Sequence, residues 1–266
     1  MAALAWQRQE RILDAVRSRG GVRVSELVDT LEVSDMTVRR DIEALATRGL
    51  VARVHGGATA VSPRSTDEPG FSVKSSMAPA EKAAIAKAAV SLVEPGAAVA
   101  LSAGTTTFAV ARELRAVPDL TVVTNSVPVA QLLHETSRKD LTVVLTGGIR
   151  TPSDALVGPV AVSALRGLHV DWLFMGVHGY DDRVGLTTPN LVEGETDRAL
   201  VSAARRLVVV ADHSKWGVVG LSTIAALEEV DVLVTDDGLD PDATRAVSAA
   251  VGRLILAGAT GHEDAP

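Results

Sequence analysis

Two sets of residues in this chain have types and spacing that can do chemistry. The first is Met36, Thr37 and Arg40, with Arg39 beside them, in the stretch SDMTVRRDIEALATRGL. A helix that turns small, polar and guanidinium side chains outward suits the DNA major groove, since the planar arginine fork matches guanine edges and phosphate oxygens. The second is Ser102-Ala103-Gly104-Thr105-Thr106-Thr107, a turn rich in hydroxyls that opens directly into a helical stretch. Backbone N–H groups at a helix start, joined by threonine hydroxyls, form a cradle for a phosphoryl group or another anion. An ordinary strand-to-helix turn with a threonine cap reads the same way, so the turn alone leaves both readings open.

The first set needs a helix held by its opposite face. At 100° per residue Val38, Ile42, Leu45 and Ala46 gather on one side, which leaves Met36, Thr37, Arg40 and Ala44 outward and Arg39 on the flank. Ser34 is the expected N-cap, and Gly49 stops the helix. Upstream, WQRQERILDAVRS places Ile12, Leu13 and Val16 at helical spacing before Gly20-Gly21. VRVSELVDTLEVS then offers Ser25 as a cap, with Leu27 and Leu31 one turn apart. Downstream, LVARVHGGATA alternates like one hairpin of a wing, with Arg53 and His55 available to a nucleic-acid backbone. Ser34, Met36, Thr37, Arg39, Arg40, Arg53 and His55 are the expected DNA contacts. On these residues alone, a protein-interaction module or a solvated surface remains an alternative.

Net charge does not exclude DNA. The chain carries −7, but residues 1–60 hold nine arginines and eight acidic side chains, net +1, and the remainder holds 17 basic and 25 acidic ones, net −8. The acidity belongs to the larger part, and every basic side chain of the smaller part is arginine. Zero cysteines exclude disulfides, thiolate nucleophiles and cysteine-ligated zinc. No apolar run approaches the roughly 18 residues of a membrane span, and the start lacks a signal-peptide layout, so no membrane association and a cytoplasmic location are expected. The histidines, His55, His134, His169, His178, His213 and His262, lack metal-ligand spacing, and neither metal nor cofactor is expected.

The second set needs a sheet. Residues 61–70, VSPRSTDEPG, read as a linker, giving a DNA-binding domain at 1–60, an α/β domain at 71–257 and a tail at 258–266. AAVAL, LTVVT, LTVVLTGG, VDWLFMGV, RLVVVAD, VDVLVTD and RLILAG are short, continuous, β-branched runs separated by helical stretches. They predict a mainly parallel sheet with helices on both faces. Ligands in such a sheet sit beyond the carboxyl ends of the strands, where this chain places its glycines and polar residues. The expected effector contacts are Ser102, Gly104, Thr105, Thr106, Thr107, Asn125, Ser126, Gly147, Gly148, His178, Glu193, Asp212 and Lys215, a set suited to a small polyhydroxylated anion. Taken singly, Asp212 is also a turn cap, Lys215 a solvated cation and His178 a structural loop residue. Glu193, Glu195 and Asp197 crowd a helix start, where the macrodipole favours acids whatever their function.

These motifs resemble those of the DeoR family of bacterial transcriptional regulators. The Val-Ser, Thr-Val-Arg-Arg-Asp, Gly-Leu and His-Gly-Gly-Ala elements match its winged helix-turn-helix over nearly all of residues 6–60. GTTT, VVTNSVPVA, LTGG, FMGVHG, GLTTPN, EGETDRA and ADHSKWG match its sensor domain over about 71–257, a fold similar to ribose-5-phosphate isomerase. The resemblance implies a repressor of sugar or related carbon metabolism genes that binds double-stranded operator DNA under control of a phosphorylated sugar-like metabolite. This chain departs where the family usually carries Asp (here Ser102), Lys (here Asp197) and Ser (here His213). The alternatives are a sugar-phosphate isomerase-like enzyme, for which Asp197 adds charge hostile to an enediolate, and a regulator whose pocket binds nothing. One short helix on a domain of net +1 offers few contacts, so a homodimer or homotetramer is expected.

Overall fold

The computed structural model describes residues 5–19, 21–54, 56–59, 70–136 and 138–258. It divides into two compact units, Met1–Pro63 and Arg64–Pro266. The linker expected at 61–70, apart from Gly70, and the tail expected at 258–266, apart from Gly258, lie outside the described residues.

In the first unit the order is α1 (Ala5–Arg19), β1 (Gly21–Arg23), α2 (Val24–Leu31), α3 (Asp35–Thr47), β2 (Ala52–Val54) and β3 (Gly57–Thr59). Ile12 and Val16 of α1, Leu27 and Leu31 of α2, and Val38, Ile42 and Leu45 of α3 form one core, as their helical spacing dictates. Ser34 caps α3 by accepting from the Thr37 N–H at 3.3 Å. Ser25 does not cap α2: the N-cap is Arg23, with no side-chain cap. The cause is β1, which the hairpin expectation omitted. The wing is a three-stranded sheet ordered β1-β3-β2, and the Val24 N–H donates to Gly56 O at 2.8 Å, fixing the helix start one residue before Ser25. Gly57 is required there, since a Cβ would lie 2.1 Å from the Val22 carbonyl oxygen.

The second unit begins with α4 (Phe71–Ser75), α5 (Pro79–Val90), β4 (Ala98–Leu101), α6 (Thr105–Leu114), β5 (Leu120–Thr124), α7 (Val127–His134) and β6 (Leu141–Leu145). Next come β7 (Ile149–Arg150), β8 (Leu156–Val157), α8 (Pro159–Leu165), β9 (Trp172–Met175), β10 (Gly179–Asp181), β11 (Gly185–Thr188) and α9 (Leu191–Ala203). The chain finishes through β12 (Leu207–Val210), β13 (Ser222–Ala225), β14 (Val232–Asp236), α10 (Pro241–Ala250) and β15 (Leu254–Ala257).

The seven predicted strands form one sheet in the order β15-β14-β12-β9-β4-β5-β6, and every pair in it is parallel. Alternate residues face opposite layers. Val99, Leu101, Phe174, Val208 and Val234 pack with α5, α6 and α7, whereas Ala100, Leu173, Met175, Val209 and Leu233 pack with α8, α9 and α10. With both strand faces sealed by apolar contact, polar chemistry is confined to the strand ends. A small antiparallel sheet, β10-β11-β13, and the β7–β8 hairpin were not predicted; their strands, two to four residues long, are too short to show an apolar alternation. From β4 the order runs through β5 to β6 in one direction and from β9 through β12 and β14 to β15 in the other. The reversal therefore falls between β4 and β9, the topological position at which sheets of this kind hold ligands beyond their carboxyl ends.

Candidate functional site

On the first unit, α3 presents Met36 at 72 % exposure, exposed Arg39 and Arg40, and half-buried Thr37. The arginines are not equivalent. Arg39 is held in a fork by Asp35, one turn earlier, through Nε to Oδ1 and Nη2 to Oδ2. Arg53 on β2 is paired with Glu43 of α3. Arg40 makes no ion pair among the described residues, so its guanidinium is the one on this helix with its donors uncommitted. His55, the remaining expected contact, lies outside the described residues. Ser34 is exposed, and its hydroxyl is shared with the Thr37 N–H and hydroxyl. Asp41, next to the two arginines in sequence, turns inward. It is buried and takes Arg8 Nε at 2.8 Å and Gln9 Nε2 at 3.3 Å, which ties α3 to α1.

On the second unit, the switch point is closed by side chains bound to backbone. Buried Ser102, just past β4, accepts from the Gly176 N–H beyond β9 at 3.0 Å and so bridges the two central strands. Asn125, beyond β5 and fully buried, accepts from the Ala103 N–H at 2.9 Å and donates to Leu156 O at 3.2 Å. The Thr107 hydroxyl donates to Gly104 O at 3.0 Å, which folds the loop onto the start of α6. Ser126 caps α7 through the Val129 N–H. Thr105 is half-buried and Thr106 nearly buried at the first turn of α6. Ser102, Asn125, Ser126 and Thr107 thus fix the loop before α6 against the ends of β5 and β9.

Both parts of this arrangement match one family. Residues 8–64 match the DeoR-like helix-turn-helix domain, and residues 77–237 match the DeoR C terminal sensor domain. The chain belongs to the DeoR family of transcriptional regulators. It is 39% identical to the uncharacterized HTH-type transcriptional regulator YgbI of Escherichia coli, over 91% of this chain and 93% of that one. It is 35% identical to a putative aga operon transcriptional repressor of E. coli O157:H7 over 95% and 94%, and 38% identical to the HTH-type transcriptional regulator GlpR of Haloferax volcanii over 92% and 94%. Among solved structures, ribose 5 phosphate isomerase A of Neisseria gonorrhoeae aligns at 17% identity and a TM-score of 0.38, over 51% of this chain and 52% of that one. The DeoR membership makes the chain a DNA-binding regulator and not an enzyme.

In this DeoR-family chain β12 brings a charged cluster to the same rim. Buried Asp212 caps a short turn at His213–Lys215, accepting from the Ser214 N–H at 3.2 Å and from the Ser214 hydroxyl. Facing it is Lys82 of α5, which sequence reasoning missed. Its ammonium is buried and donates to the carbonyls of Lys74 and Met77, both at 2.6 Å. Burial pushes it down to about 8, Lys215 and Lys74 push the same way, and Asp212 and Glu81 oppose them. The signal was present: Lys82 lies in the buried stripe of α5 with Ile85, Ala86 and Ala89, where a lysine has to be explained.

The other expected residues are spread along the rim. His178 stands two residues beyond Gly176 and is half-buried, and Glu193 occupies the first turn of α9 with its N–H capped by Asn190. Beyond β6, Gly148 serves a close approach, since a Cβ there would lie 2.6 Å from Val157 O, and Gly147 takes a positive φ of 72°. Of the three departures from the family pattern, Ser102 is the strand bridge, Asp197 is buried within α9, and His213 is held by a carboxylate. Its Nδ1 meets Asp236 Oδ2 at 2.6 Å, its backbone N–H donates to Asp236 Oδ1 at 2.7 Å, and the ring packs over Gly238.

Proposed function

We propose that this regulator is a cytoplasmic repressor of genes for sugar or related carbon metabolism, released from its operator when a phosphorylated sugar-like metabolite enters the β4/β9 switch point. The observation that carries the effector half is the start of α6 at Thr105–Thr107 facing the same rim as the cluster of Lys82, Lys215 and Asp212, with the loop before it fixed by the Ser102–Gly176 and Asn125–Ala103 bonds. N–H groups and ammonium groups favour a phosphoryl oxygen, and a carboxylate beside them accepts from sugar hydroxyls. Ser102 and Asp197 replace an acid and a base usual in the family, so the metabolite has a different hydroxyl or charge pattern from the usual family effector.

On the DNA side, α3 lies in the major groove with Arg40 reading a base edge, Met36 and Thr37 beside it, and Arg39 and Arg53 at the phosphates. One such helix makes too few contacts for tight specific binding, so the operator-bound species is at least a dimer on repeated half-sites. The test is a thermal-shift screen of sugar phosphates and sugar acids, followed by operator binding with each compound that stabilises the protein. A true effector at about 100 times its dissociation constant adds roughly 2.7 kcal/mol of stability. It should also lower operator affinity. No stabilisation by any phosphorylated or acidic sugar would refute the effector assignment.

A further inference from the structure

The outward face of α3 holds few groups that are free to hydrogen-bond a base. At 100° per residue Met36, Arg40, Glu43 and Thr47 fall on one line, with Thr37 and Ala44 on one flank and Arg39 on the other. Most of their polar groups are already committed. Arg39 is forked onto Asp35, and the Glu43 carboxylate takes Arg53. The Thr47 hydroxyl donates to Glu43 O at 2.8 Å, and the Thr37 hydroxyl is bonded to that of Ser34 at 2.9 Å. Of the polar side chains on this face, Arg40 alone has no ion pair or side-chain hydrogen bond among the described residues. The helix sequence, DMTVRRDIEALAT, contains no Asn or Gln, the side chains that read adenine through two bonds. Readout by hydrogen bond therefore rests on one guanidinium, whose two-pronged match is guanine.

What the rest of the face offers is carbon. Met36 is 72 % exposed, the highest value of any large apolar side chain among the described residues, and it stands outside the core of its unit. It lies in the first turn of α3, the part of a recognition helix that reaches base edges. Its flexible, polarisable thioether adapts to an irregular apolar contact. In the major groove the base pairs present a single apolar group, the C5 methyl of thymine.

We infer that Met36 is a specificity-determining residue that reads the C5 methyl of a thymine, close to a guanine read by Arg40. The two side chains are one turn apart, about 5.4 Å along the helix, and base pairs rise by about 3.4 Å, so the thymine lies within about two base pairs of the guanine. The contacts differ in strength. A bidentate guanidinium makes a sharp choice at its own base pair, whereas a thioether against one methyl makes a weaker one at the next position. Because only the methyl is read, a cytosine that carries a C5 methyl presents Met36 with the same group, and the contact is sensitive to cytosine methylation at that position. The inference rests on the reading that α3 enters the major groove, and adds to it the chemistry of the half-site.

The test uses the full chain and a pool of random-sequence duplexes, from which repeated selection recovers the preferred site. That site is then made with deoxyuridine, which lacks only the C5 methyl, in place of each thymine in turn. One replacement within about two base pairs of the selected guanine should weaken binding about fourfold, the factor expected for one CH₂-sized group left unburied. Met36→Ala should bind the thymine site about fourfold or more weakly than the parent and should no longer distinguish it from the deoxyuridine site. Met36→Leu, which keeps an apolar side chain of similar volume, should retain the distinction. With cytosine at the same position, 5-methylcytosine should bind the parent better than cytosine does, and Met36→Ala should treat the two alike. The side chain is exposed, so the variants should melt with the parent, and circular dichroism checks this. Equal affinity for thymine and deoxyuridine at every position near the guanine, or a full distinction kept by Met36→Ala, would overturn the inference. Such a result with guanine preference still lost in Arg40→Ala would leave the groove reading of α3 intact. Unchanged affinity and unchanged guanine preference in Arg40→Ala would remove both.

Discussion

The two units differ in how each places its candidate groups with respect to its own surface. On α3 the groups point out: Met36, Arg39 and Arg40 are exposed, and specificity depends on which of them is left uncommitted by neighbouring acids. At the β4/β9 switch point the groups point in: Ser102, Asn125, Thr107 and Asp212 are buried and already bound to backbone. The difference follows from the partners. A duplex is larger than the domain and must be met by a convex, charged surface, whereas a small anion must be stripped of water and held by donors fixed in advance. An outward site is therefore tuned by charge pairing, and an inward site by packing.

The largest expected effect breaks one side of this comparison and spares the other. Asp41 and Arg8 form a buried ion pair between α3 and α1. Asp41→Ala removes the two side-chain hydrogen bonds that its buried carboxylate accepts from α1, so it should cost about 3 kcal/mol in the small DNA-binding unit. Operator binding should be lost, while the effector still raises the melting temperature of the sensor unit. Calorimetry with and without effector measures both, and joint loss of the two would show the units to be energetically coupled.

A smaller change sharpens the contrast among the outward groups. Arg40→Ala should cost 1 to 3 kcal/mol, by the usual range for a base contact, and relax preference at one operator position. Arg39→Ala should cost less, at most about 1 kcal/mol, and weaken all sequences alike, since Arg39 reaches a phosphate only in competition with Asp35. Binding to a panel of operator variants separates the two. Equal losses would mean that the Asp35 fork opens on DNA.

Legibility from sequence follows the same division. The recognition helix was readable because an outward face is defined by what its apolar face, Val38, Ile42 and Leu45, leaves over. The i, i+4 spacing of Asp35 and Arg39 carries a local signal of their pairing that the sequence reading passed over, whereas the Arg53–Glu43 pair joins a strand to a helix and no local pattern reveals it. In the sensor unit all seven core strands were readable, since strands buried on both faces must be continuous and β-branched. The β10-β11-β13 sheet was not, because Gly179, Gly185, Thr187 and Thr188 are chosen for close backbone approach and side-chain bonds and not for alternation. Strand ends located Ser102 and Asn125, whereas Lys82 arrives from a helix outside the strand-end rule, and the bond of His213 to Asp236 depends on β12 and β14 being neighbours.

Proton linkage provides a third and more graded contrast. Lys82 is pushed down from its ordinary 10.5 to about 8, so the unfolded chain holds this proton more tightly between those values. Stability rises with pH wherever the unfolded state binds more protons, and this group therefore makes the protein more stable as pH climbs through that window. Effector affinity should move the opposite way. An anion favours the ammonium, so affinity should be flat between about pH 7, above the second ionisation of a phosphoryl group, and about pH 8, and fall by up to about tenfold per unit above that, with proton uptake on binding. Calorimetry in buffers of different ionisation enthalpy reads the uptake, and Lys82→Met should abolish it. Arg40 stays charged throughout, so operator affinity without effector should show no such step.

The smallest effect concerns Ser34, where the outward site is itself partly structural. Its hydroxyl accepts from the Thr37 N–H and bonds the Thr37 hydroxyl, yet it lies exposed at the start of the helix expected to meet DNA. Capping and DNA contact predict different outcomes for two substitutions. Ser34→Ala removes the cap and should cost about 1 kcal/mol of stability in the DNA-binding unit, with operator affinity falling no further than the lost fold accounts for. Ser34→Asp keeps an acceptor for the Thr37 N–H and adds a charge that the helix start favours, so the unit should be as stable as the parent. The same charge would stand against the phosphates, so operator binding should weaken and do so more at low salt, where repulsion is least screened. Thermal melts together with operator titrations at two salt concentrations decide it. If Ser34→Asp binds as the parent does, Ser34 is a cap alone and the DNA face begins at Met36.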